Sequence, residues 1–147
     1  MKLIVTYLML IPFIIYNHSN QKKLFFTEKA FFTDIFYIEK IELKNFTFED
    51  IARFTIASIM NQKTKIITIT KKGNLYFATY VRKSDKKKFD YKIKFDNNKI
   101  IWANIDGRWR NSPYDEKITF IESKKTISII QTFSDGSRDV QKYKVGD

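Results

Sequence analysis

The chain has no cysteine and a single histidine in its 147 residues. Without cysteine there is no disulfide, no thiol nucleophile, no cysteine-ligated metal and no lipidated cysteine anchor. The histidine, His18, directly follows an apolar N-terminal run. If that run is a removed leader, the remaining chain holds no imidazole, which argues against a zinc site and a histidine general base. Internal repeats, low-complexity tracts and recognisable catalytic motifs are also missing. The expectation is a protein that needs no cofactor and no metal, and is not an enzyme.

Long apolar stretches are scarce too. The one present covers residues 3–16, after Lys2. A membrane-crossing helix needs roughly 20 apolar residues, and shorter runs are more often export-signal cores or buried helices. A cation followed by a short apolar run has the layout of an export signal. Pro12 would interrupt a stable span but is tolerated in a signal core. Asn17 and Ser19 make a poor cleavage context, because small residues are preferred one and three positions before the cut. Residues 1–21 are therefore expected to be a signal peptide or a short membrane anchor, and residues 22–147 a single domain. The expected location is the periplasm or cell envelope, with membrane contact only through the N-terminal segment if it is retained.

Charge of one sign is in excess. Lys and Arg number 27 against 16 Asp and Glu, a formal net charge of +11. Lys2 is the only charged residue before Lys22, so removal of the leader leaves about +10. Such a balance favours anionic partners: an acidic protein, an anionic envelope polymer, nucleic acid or lipid headgroups. The same excess also arises from lysines scattered for solubility.

Patterning divides the chain in two. Residues 24–46 are rich in phenylalanine, with helical spacing from Ala30 to Ile38 and a strand-like alternation beyond it. Thr47, with Glu49 and Asp50 behind it, reads as the start of a buried helix running to Asn61 and Gln62. From residue 65 onward the period changes to two. Strands are expected at 65–70, 75–82, 89–95, 99–105, 117–122, 124–133 and 138–145. Short turns between them imply an antiparallel meander. The expected fold is α+β, with one or two N-terminal helices packed on a curved antiparallel meander of about six to seven strands.

The most distinctive segment is residues 101–116. After the Asp106-Gly107 turn signal, Arg108, Trp109 and Arg110 set two guanidiniums around an indole, and Tyr114, Asp115 and Glu116 close the loop. Arg and aromatic residues suit a recognition surface because they supply area and bidentate bonding at low entropy cost. Arg108, Trp109, Arg110, Tyr114 and Asp115 are therefore the candidate binding residues. The structural alternative is a core plug at Trp109 and a loop stapled by pairing the arginines with Asp115 and Glu116. Two further sites were weighed. Loop carboxylates could serve an envelope-polymer hydrolase, if two of them converged in a cleft. Lys83, Lys86, Lys87, Lys88, Lys92 and Lys94, near Tyr80 and Tyr91, have the ingredients of a single-strand nucleic-acid surface. No nucleic-acid motif supports that surface, and export argues against it.

Residues 56–145 resemble a group of small exported bacterial proteins, often lipoproteins, of uncharacterised function. The matching stretches are Ile56-Ala-Ser-Ile-Met60, Tyr80-Val-Arg-Lys-Ser-Asp85, Ile101-Trp-Ala103, Asp106-Gly-Arg-Trp-Arg110, Asp115-Glu-Lys-Ile-Thr119 and Ser134-Asp-Gly-Ser137. The resemblance implies one small exported domain and carries no catalytic residues. The chain departs from the lipoprotein members in lacking the lipidation cysteine. Together these observations point to a small basic exported binding or inhibitory protein that docks an acidic partner.

Overall fold

The computed structural model describes residues 41–147. The apolar leader, His18 and the helix expected from Ala30 to Ile38 lie outside the described residues.

Thr47 caps the helix α1 (Phe48–Ile59) as its sequence predicts. The Asp50 amide donates to Thr47 Oγ1 (3.2 Å), and the Thr47 amide donates back to Asp50 Oδ2 (3.0 Å). This reciprocal capping box satisfies two otherwise orphaned donors. The helix stops earlier than expected. Met60 is its C-cap, and Asn61 takes the left-handed conformation (φ 47°) that often follows a helix end.

A single 3₁₀ turn (Thr64–Ile66) leads into seven strands: β1 (Thr68–Lys72), β2 (Leu75–Val81), β3 (Lys88–Asp96), β4 (Lys99–Asn104), β5 (Lys117–Ser123), β6 (Thr126–Thr132) and β7 (Arg138–Lys144). They form one antiparallel sheet in sequence order, so the fold is α+β with a seven-stranded meander. The first strand is displaced from its expected place at 65–70. Its hairpin turn is only Gly73 and Asn74, because Lys72 pairs with Leu75. That tight turn moves the strand's start three residues and its end two toward the C-terminus, and leaves Thr64–Ile66 to coil. Three two-residue turns begin at Gly73, Asn97 and Lys124, all at positive φ (58°, 52° and 53°). Such turns match the right-handed twist of paired strands.

The helix lies against β1, β2 and β6 together. On a flat sheet β2 and β6 would stand four strand spacings apart, roughly 19 Å, whereas a helix is about 10–12 Å across. The sheet therefore curls around the helix. Its inner face buries Tyr76, Ala78, Tyr80, Tyr91, Ile93, Ile100, Trp102, Ile118, Phe120, Ile127 and Ile129 against Ile51, Phe54 and Ile56 of the helix. Phe54 stacks on Tyr143 with ring centroids 4.4 Å apart. No helix among the described residues is long and apolar enough to cross a membrane.

The seam between β4 and β5 is the weak point of the sheet. Those strands share two paired positions, Lys99 with Thr119 and Ile100 with Ile118, where β5 and β6 share seven. Beyond Ile100 they part, and residues 105–116 occupy the opening.

Candidate functional site

The loop between β4 and β5 is built from its own charges. The Trp102 carbonyl, which a continuing β5 would have engaged, accepts instead from the Arg110 amide (2.9 Å). Residues near Arg110 thus run beside β4, and alternation sends neighbouring side chains to opposite faces of the sheet. Arg110 goes to the inner side, where its guanidinium carbon lies 4.5 Å from the Trp102 ring centroid. Glu116 joins them, accepting from Trp102 Nε1 (3.0 Å) and pairing with Arg110 (3.4 Å). Trp109 goes to the outer side. There the ammonium groups of Lys92 and Lys94 lie 5.2 and 4.8 Å from its ring centroid.

Arg108 grips Asp115 with both guanidinium nitrogens, each at 2.7 Å. The Ser112 amide donates to the same carboxylate at 2.9 Å. The Asp115 carboxylate is therefore shielded while Arg108 remains open to solvent, with 7% and 68% of their side-chain surfaces exposed. The Arg108 guanidinium, followed by the Ser112 hydrogen bonds, holds the Asp115 carboxyl well below the usual carboxylate range. Tyr114, at the tip, makes no such commitment and is 89% exposed.

The five candidate binding residues thus fall into four settings. Arg108 and Asp115 are brought together as a staple. Arg110 braces the buried Trp102, and Trp109 lies on the opposite face of the sheet. Tyr114 projects alone. Trp109 is not a core plug: it is half-buried against lysines on the outer face. Glu116 pairs with Arg110 as the staple alternative expected, but the Trp102 indole that it also binds was missed as part of the loop's framework. No spacing rule could have joined residues 14 positions apart across a turn.

The lysine surface also needs correcting. Tyr80 and Tyr91 are buried on the inner face, so they cannot accompany Lys92 and Lys94, which point outward. The register carries Lys92 to Phe77 and Ala103 instead. Strand by strand, the outer face presents Lys72 from β1, then Lys88, Lys92 and Lys94 from β3. It continues with Lys99 from β4, Lys117 from β5, and Arg138, Lys142 and Lys144 from β7. Among the described strand residues, only Asp90 and Asp96 stand against these cations on the same face. Asp90 is engaged by the Thr79 hydroxyl (2.6 Å) and by Lys88 (3.1 Å), and both lower its pKa. Lys117 lies one step from buried Ile118 on its own strand, whereas the outward direction of Lys142 follows only from the pairing of β7 with β6.

Where β4 and β5 part there is a groove of about 510 Å³, lined by Lys99, Ile101, Arg110, Ser112, Lys117 and Thr119 among others. Among the described residues no group of three or more His, Cys, Asp and Glu side chains is placed to hold a metal ion. No family model, curated protein or solved structure matches the chain.

Proposed function

We propose that the protein is a small, basic, non-catalytic binding module of the bacterial cell envelope that docks an acidic partner through the loop of residues 105–116. The observation that carries this is the braced tip of that loop. Asp115 is locked between Arg108 and the Ser112 amide, and Tyr114 stands 89% exposed beside it. A rigid loop presenting a free aromatic and an exposed guanidinium loses little freedom on binding, which is how recognition surfaces gain affinity. Export is proposed from the N-terminal run, and the acidic character of the partner from the +11 charge.

A hydrolytic role would ask a loop carboxyl to be held neutral so that it can donate a proton. The Arg108 grip drives Asp115 the other way. The test is capture from envelope extract by the immobilised full chain, followed by mass spectrometry. The double substitution Y114A/W109A should abolish enrichment of acidic partners while leaving the thermal midpoint in place. Equal capture by the variant would overturn the assignment of the loop.

A further inference from the structure

The cations of the outer face are not scattered; four of them share one transverse row. Lys72 pairs with Leu75. Leu75 and Lys94 lie one step along from the paired Tyr76 and Ile93, and Lys94 pairs with Ile101. Ile101 and Lys117 lie one step along from the paired Ile100 and Ile118. Lys117 pairs with Thr132, which pairs with Arg138. A cation therefore stands on every second strand, at intervals of about 10 Å, along a line perpendicular to the strands. The row crosses the groove where β4 and β5 part; Lys99 and Asp96 also line that groove, while Arg110 there turns inward to Trp102 and Glu116.

We propose that this row is a track for a linear phosphodiester polymer without bases, of the polyol-phosphate kind. The proposal rests on the anion-binding role given above and names the class of ligand. Three features select it. Lysine ammonium groups are point charges suited to phosphate, and the row is lysine in three of its four members. The sheet is curled, so its outer face is convex; a flexible chain can follow the row, whereas a flat bilayer meets only part of it. The two aromatic rings shown on this face, Phe77 and Trp109, are already engaged by cations. Lys72 lies 5.7 Å from the Phe77 centroid, and Lys92 and Lys94 sit at Trp109. Single-strand nucleic-acid sites need aromatic faces free for base stacking, so a base-free polyanion fits better.

The test titrates the full chain with fluorescent poly(glycerol phosphate), oligo(dT) and poly-L-glutamate of matched charge, over a series of salt concentrations. Poly(glycerol phosphate) should bind tightest, with affinity falling steeply as salt rises. K117E/R138E should weaken it about tenfold or more and flatten the salt slope, by roughly 0.7 per lost contact for a flexible single strand. K83E/K86E, which alters charge equally in the β2–β3 turn, should change affinity far less. K117Q/R138Q serves if the reversed charges disturb folding, as judged by circular dichroism. Equal losses from both reversed pairs would overturn the track in favour of bulk charge. Tighter binding of oligo(dT) would overturn it in favour of nucleic acid. Binding of poly-L-glutamate alone would remove the polymer and leave the acidic-partner role standing. Binding of none of the three would sink both.

Discussion

The two faces of this sheet are made by the same seven strands and have opposite tasks. Along β3, Tyr91 and Ile93 turn inward and are buried, while Lys92 and Lys94, one residue away, turn outward. Among the described residues, the inward strand positions hold one cation, Lys71, and two acids, Glu122 and Asp139; the loop adds the Arg110–Glu116 pair over Trp102, and the rest of the face stacks rings and branched side chains around α1. The outer face holds lysine after lysine and closes no core. Stability is therefore concentrated on one side of the backbone and charge on the other. Burial rewards close packing, whereas exposed like charges cost little when water screens them. Outer residues can be exchanged for recognition with little consequence for folding.

Substitutions on the inner face should give the largest effects. Phe54, 2% exposed and stacked on Tyr143, should cost about 3–5 kcal/mol when changed to Ala, read by urea unfolding. A loss below about 1 kcal/mol would show that the inner face is not the seat of stability. Next comes the helix that the inner face encloses. Thr47→Ala removes the cap and should cost about 1 kcal/mol. Loss of helical signal from α1 alone, without a shift in the global midpoint, would mean that the helix is not coupled to the sheet.

The turns and loop should show up as a pH effect. Asp85 is pulled from 3.8 down to about 2, chiefly by the hydrogen bond from Arg82. Asp115 is held well below the same reference, chiefly by Arg108. Both bind fewer protons folded than unfolded. Their contribution is present above the unfolded value and is lost as pH falls through the folded ones. Stability should therefore decline on acidification from about pH 4, and Asp115→Asn should make that decline shallower. An unchanged acid limb would show that the staple adds nothing to the native state.

The smallest expected change is on the outer face. Lys142→Ser should shift the unfolding free energy by no more than about 0.5 kcal/mol. A larger loss would break the comparison, because it would give the lysine face a structural role.

Much of the fold was legible because period-two patterning and turn chemistry are local. Phe89 to Phe95, with every other residue polar, could be little else than a half-buried strand. Thr47 with Asp50 announced the helix start through a hydrogen-bonding geometry that spans only three residues. The edges of elements were less legible. The alternation from Lys65 to Thr70 reads as a strand. The two-residue turn at Gly73-Asn74 overrules it by setting the register from the far end. Strand β2 was ambiguous in another way, since Leu75, Phe77 and Val81 are as apolar as Tyr76, Ala78 and Tyr80. Pairing with Ile93, Tyr91 and Phe89 turned the second set inward.

The loop was half legible. Two arginines beside two later carboxylates suggested a staple, and Arg108 with Asp115 forms one. That Trp109 and Arg110 part company, one to the lysines and one to Trp102, depends on Arg110 taking the hydrogen bond that β5 leaves open.

By itself the sequence determined a meander of six to seven strands, the helix cap and the surplus of positive charge, because each is set by neighbours a few residues apart. Tertiary structure decided which face of each strand meets the helix, where the sheet parts, and that Lys72, Lys94, Lys117 and Arg138 share a row. Those outcomes depend on register between strands, and register is settled only when all seven compete to bury one face around α1.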